Sequence, residues 1–142
     1  MSFSGKPTTF VEQAIENNGF WPDLSVSEFQ KGYRLPAEYL VELLVADLTT
    51  AMVEVNVDLE RRQADLSAAG VELTTHQVAT YKRAVYCRAK ASLLPQFATV
   101  TRRDSAENTG KELPDRAETF LAFSQQAVRT LQKRGRITAV LL

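Results

Sequence analysis

The stretch PAEYLVELLVADLTTAMVEVNVDLERRQADLSAAG, residues 36–70, decides the fold class of this 142-residue chain. Its apolar positions run Leu40, Leu43/Leu44, Leu48, Ala51/Met52, Val55 and Leu59. Steps of three and four wind round a helix and match no alternating strand. Pro36 suits the first helical position, where its missing N–H needs no partner. Gly70 supplies the left-handed residue that closes a helix. The spacing predicts one helix over 36–69, roughly 50 Å long at 1.5 Å per residue.

Downstream, Thr74 and Gln77 form a capping box. Val78, Tyr81, Val85, Ala89 and Leu93/Leu94 then recur at helical spacing until Pro95, which is expected to end the helix. Residues 99–113, rich in Thr, Arg, Asp and Asn, read as a loop. A third helix is predicted over 114–133, with Ala117, Phe120/Leu121, Ser124, Val128 and Leu131 on its apolar face. Lys133-Arg134-Gly135 suits its end. Upstream, Ser25 and Glu28 make another capping box and open a short helix through Tyr33. Residues 1–24 read as an irregular arm with at most a short helix over 10–17. The closing seven residues are β-prone, with Ile137, Ala139 and Leu141 on one side and Val140 and Leu142 on the other. Such an end needs cover, from this chain's own core or from a partner.

The expected architecture is mainly α: a three-helix bundle with a long antiparallel helical pair, a short N-terminal helix and a β-prone C-terminal tail. The pair is 36–69 with 75–95, and 114–133 packs across it. The expected spine is Leu40, Leu44, Leu48, Met52, Val55, Leu59, Val78, Tyr81, Val85, Leu94, Phe120, Leu121, Val128 and Leu131. Three regions follow: an N-terminal arm (1–24), a helical domain (25–135) and a C-terminal docking strand (136–142).

Composition bounds the function. No apolar run approaches the roughly 20 residues that cross a bilayer, the start reads as no signal peptide, and no membrane role is expected. One cysteine, Cys87, rules out an internal disulfide and suggests a reducing compartment. Net charge is zero but unevenly spread: residues 1–72 carry twelve acids against five bases, and residues 73–142 the reverse. The halves either neutralise each other within one fold or join one copy head-to-tail to the next.

Catalytic chemistry finds no constellation. There is no glycine-rich phosphate loop. His76 sits at a helix mouth, and Cys87 lies among Ala, Val and Tyr, as a buried inert thiol does. Asp47, Glu54, Asp58 and Asp65 recur along the long helix without a histidine. They are expected to pair with Arg83, Arg88 or Arg129 rather than to hold a metal. No catalytic, cofactor-binding or metal residue is assigned.

Several stretches together resemble the head completion proteins of tailed phages (the L type, GPL). They are Gly19-Phe20-Trp21-Pro22-Asp23-Leu24, Arg34-Leu35, the run from Ala51 to Leu59, the run from Tyr81 to Leu94, Thr109-Gly110 and Arg136-Ile137-Thr138. The match spans most of residues 19–142, in order. Pro95 and Val140 depart from the acidic residues usual in the family at those places. The resemblance implies a virion structural protein, assembled in the host cytoplasm. It implies a ring of twelve subunits beneath the portal after DNA packaging, extending the DNA channel and offering a surface to tail or neck proteins. DNA would pass without sequence-specific binding. The alternative is a DNA-handling helical protein such as a small packaging subunit, against which the neutral charge counts. The candidate interface residues are Phe20, Trp21, Asp23, Arg102, Arg103, Arg136, Ile137, Leu141 and Leu142.

Overall fold

The computed structural model describes residues 12–36, 39–101 and 112–133, the side chains of 97–101 and 112–115 excepted. Two short strands, β1 (Ala14–Ile15) and β2 (Leu24–Ser25), pair antiparallel, with Ala14 opposite Ser25 and Ile15 opposite Leu24. Five helices follow: α1 (Val26–Gly32), α2 (Val41–Asp58), α3 (Glu60–Ala69), α4 (Thr75–Thr101) and α5 (Glu112–Leu131). Five helices and an N-terminal sheet replace the expected three-helix bundle. The expected C-terminal tail, 136–142, lies outside the described residues.

Local chemistry explains the element ends. At α4 both halves of the capping box form: Gln77 N donates to Thr74 Oγ1 (3.1 Å) and Thr74 N to Gln77 Oε1 (2.9 Å). At α1 only half does. Glu28 N donates to Ser25 Oγ (3.1 Å), while the Glu28 carboxylate turns outward to Tyr86 Oη (2.7 Å) and Lys82 Nζ (3.2 Å). The carboxylate on Ser25 and Ser27 is Glu12, and the Ser25 hydroxyl bond leads the contacts that hold its pKa below the ordinary value. Gly70 adopts the left-handed conformation expected of it (φ 68°).

The single helix over 36–69 is two helices. It begins at Val41, not at Pro36, and breaks at Leu59, whose backbone (φ −102°, ψ 10°) leaves the helical region. Alternating Val53, Val55 and Val57, with Asn56 between, is a run of poor helix formers at that place. The Asp58 carbonyl accepts the Gln132 side-chain amide at the end of α5 (2.8 Å). A group freed from the ladder thus finds a partner on another element.

The second correction is α4, which runs through Pro95 to Thr101. Proline inside a helix costs about 3 kcal/mol, so tertiary contacts outweigh it here. Asp47 of α2 accepts from Ser92 Oγ and Gln96 Nε2, both at 3.3 Å, and pins the turns on either side of the proline. The N-terminal segment is the third correction: residues 14–15 are strand, where an irregular arm with at most a short helix over 10–17 was expected.

α4 is the hub. Tyr81, Ala84, Val85, Cys87, Ala89 and Leu93 are all fully buried along it. α2 lies antiparallel on one side, with Arg88 reaching Glu54 (3.2 Å) and Asp58 (3.7 Å). That meets the expected pairing for two of the four carboxylates, whereas Asp47 bonds Ser92 and Gln96. On the other side α5 also runs antiparallel: Ser124 Oγ donates to the Ala84 carbonyl (2.7 Å), and Lys90 Nζ lies over the Phe120 ring (4.7 Å). Leu44, Leu48, Met52 and Val55 of α2 and Leu59 just past its end are buried as expected, but Leu40 is 69% exposed and Leu121 of α5 is 40% exposed. The core also takes in Ile15, Trp21, Leu24, Val26 and Phe29, which the sequence pattern did not place there.

Candidate assembly surface

The chemistry visible in the fold is positional. Among the described residues no cluster of His, Cys, Asp and Glu is suited to a metal ion. Cys87 is buried, and burial raises its thiol pKa above the ordinary value. His76 is exposed in the first turn of α4.

Segment 17–23 is a loop clamped onto α4. Asn17 Nδ2 donates to Tyr81 Oη (2.9 Å), Tyr81 Oη donates to Asn56 Oδ1, and Asn56 Nδ2 returns to Asn17 Oδ1 (2.9 Å). This closed cycle satisfies three polar side chains at once, an arrangement in which each bond polarises the next. Burial pushes the Tyr81 phenol up to about 12. Trp21 stacks on the Tyr81 ring (4.9 Å between centroids, 3° between planes), and Phe20 meets Trp21 edge-on. The Asp23 carboxylate accepts from Asn17 N (2.8 Å), and Asn18 Oδ1 accepts from the N–H groups of Phe20 and Trp21.

Of the candidate interface residues, Phe20, Trp21 and Asp23 therefore come together. Trp21 is 2% exposed and inside this chain's own core, Phe20 is half-buried, and Asp23 is exposed. Arg102, Arg103, Arg136, Ile137, Leu141 and Leu142 lie outside the described residues.

Two surface features were missed in the sequence. The first is a pocket of about 370 Å³ lined by Gly32, Tyr33, Arg34, Lys90, Arg116, Thr119 and Phe120. Lys90 Nζ donates to the Tyr33 carbonyl and sits over the Phe120 ring. Its pKa is lowered, first by burial and then by the charges of Arg116 and Arg34. Arg34 is held there by the end of α1. Leu35 N donates to the Gln30 carbonyl (3.0 Å), and Arg34 takes the left-handed conformation (φ 57°), where glycine is the usual occupant.

The second feature is the outer face of α2, where Glu42, Ala46, Thr49, Val53 and Val57, followed by Glu60 of α3, recur at steps of three and four and are all exposed, the last three lining a hollow with Asn18 and Gln63. Val53 is 52% and Val57 64% exposed.

Three of the six motif stretches that the sequence set apart meet at one point: Trp21 and Asp23 from Gly19–Leu24, Asn56 from Ala51–Leu59 and Tyr81 from Tyr81–Leu94. The profile of the phage head completion protein family (GPL) matches residues 15–142. The chain belongs to that family. It is 34% identical over 148 aligned positions to the "Probable head completion/stabilization protein" of Haemophilus phage HP1 (strain HP1c1), covering 95% of this chain and 97% of that protein. No solved structure matches. As a GPL head completion protein the chain is a structural, non-enzymatic component of the virion, placed at the head–tail connector. The Asn17–Tyr81–Asn56 cycle holds this GPL protein's N-terminal loop against its helical hub.

Proposed function

We propose that copies of this chain close a ring of twelve beneath the portal vertex once DNA is packaged. The ring extends the DNA channel and gives tail or neck proteins a surface on which to seat. The reading is carried by the family match, which takes in residues 15–142. Two properties of the chain support it. Its charge is split between an acidic first half and a basic second half. Among the described residues, Lys82–Glu28 and Arg88 with Glu54 and Asp58 join the two halves within one copy, while acids such as Glu42 and Glu60 stay exposed. Unlike surfaces on one protomer favour heterologous contacts, which close into a ring when the rotation between copies permits.

The test adds purified protein to DNA-filled heads that lack it and images the portal vertex by electron microscopy. The expected result is a ring of density under the portal and recovery of tail attachment. Protein bound elsewhere on the head, or heads that accept tails without it, would overturn the reading.

A further inference from the structure

A groove follows one face of α2, α3 and the turn after them. Val53, Val57, Glu60, Ala64, Ser67 and Val71 succeed one another along it at steps of three and four, and all are exposed. They line two hollows, of about 420 and 580 Å³, that meet at Ser67. The loop 17–23 walls one side of both, with Asn18 at the first and Phe20 at the second. Asn18 Nδ2 ties that wall to α3 by donating to Gln63 Oε1 (3.0 Å). We infer that this groove is a peptide-binding site, and that its occupant is residues 136–142 of the same chain.

The place where α5 ends argues for this segment. Gln132 donates to the Asp58 carbonyl (2.8 Å), so the chain passes its last described residue, Lys133, beside the joint between α2 and α3. Successive residues of a helix turn by about 100°. Asn56 faces the loop through its bond to Asn17, Val57 lies in the groove, and Asp58, the next round, meets the end of α5. The loop thus walls one flank of the groove, and the segment approaches from the other. A step of 100° round a helix about 10 Å across is roughly 9 Å, which residues 134–136 span at about 3.3 Å each. From Val57 to Ser67 the groove runs about 15 Å at 1.5 Å per residue, and residues 137–142 extend to about 20 Å.

The chemistry of the two parts agrees. The groove offers small and aliphatic side chains, Val53, Val57, Ala64 and Val71. The segment brings Ile137, Ala139, Val140, Leu141 and Leu142, apolar on both sides of an extended chain, and such a strand needs cover on both. Arg136, at the entry, comes to the exposed Glu60. Gln63, with Oε1 taken by Asn18, keeps Nε2 as a donor for a carbonyl of the segment, the main-chain bonding by which extended peptides are held. DNA phosphates do not suit the groove: no cation lines either hollow, while Glu60 and Glu72 do.

The test is disulfide formation in the full chain, read on non-reducing gels from dilute protein. Ala139→Cys is combined with Ser67→Cys in the groove, or with Asp65→Cys, exposed on the other side of α3. Cys87 is buried and stays out of the exchange. A tethered segment meets its own surface at an effective concentration of about millimolar wherever it lies; seating should make the Ser67 pair close about tenfold faster than the Asp65 pair. Adding Val57→Asp should bring the Ser67 pair down to the Asp65 rate, with helical circular dichroism unchanged. Equal rates for the two pairs would overturn the inference, because the segment would then not be seated. Bonds formed chiefly between two molecules would overturn it as well, and would give the groove to another copy.

Discussion

Replacing Trp21 with Ala asks whether the loop at 17–23 belongs to the fold or to an assembly surface. The side chain is almost wholly buried and stacks on Tyr81. A buried tryptophan removes about 150–250 Å² from water. At about 25 cal/mol per Å² that is roughly 4–6 kcal/mol, an upper estimate because the unfolded chain already covers part of the area. Measured aromatic-to-alanine changes in cores run about 3–5 kcal/mol, and that is the expected loss here. Unfolding entropy of about 2.1 cal/mol/K per residue gives roughly 0.3 kcal/mol/K for a chain this long, so the melting temperature should fall by about 10–17 °C. Circular dichroism at 222 nm is the right probe, since the chain's one tryptophan is lost with the mutation. A variant that melts with wild type yet fails to complete heads would refute the docking of this loop and return Trp21 to the interface.

Leu48→Ala, at a fully buried site, should cost about 2–5 kcal/mol in urea unfolding, while Leu40→Ala, at an exposed one, should stay within about 0.5 kcal/mol. Thr74→Ala removes one arm of the reciprocal cap on α4 and should cost about 0.5–2 kcal/mol, read from the same melts. Burial raises the Tyr81 phenol to about 12, so its contribution to stability is complete below pH 10 and is lost as the pH climbs from 10 towards 12. Tyrosinate absorbance near 295 nm should show part of the signal delayed until the fold is lost, and a titration complete by pH 10.5 would contradict this.

What was legible in the sequence is what repeats locally. The stripe Leu44, Leu48, Met52, Val55, Leu59 and its counterpart on α4 follow from helical spacing, and the cap at Thr74 from two residues three apart. The break at Leu59 was hidden because the apolar rhythm runs straight through it. Gln132, which donates to the Asp58 carbonyl beside the break, is 74 residues away in sequence. Pro95 misled for a related reason: a local cost was weighed without Asp47 on the facing helix. The strands β1 and β2, two residues each, have no period to detect. The basic pocket could not be seen at all, since Arg34, Lys90 and Arg116 become neighbours only when three elements pack. Of the motif residues that gave the family, Trp21, Val55, Tyr81 and Val85 lie in the core.

The clamp between the N-terminal loop and α4 also sets an order of events during synthesis. Asn17 and Ser25 bond to Tyr81 and Tyr86, partners 64 and 61 residues further along the chain. Ribosomes add about 5–20 residues per second, so the segment waits roughly 3–12 s before its docking site has even been made. Through that interval Trp21, Leu24 and Phe29 have no hub to cover them, because contacts so distant in sequence must wait for the later partner. The nascent chain thus carries its uncovered apolar side chains at its start. The earliest segment made is among the last to find its place.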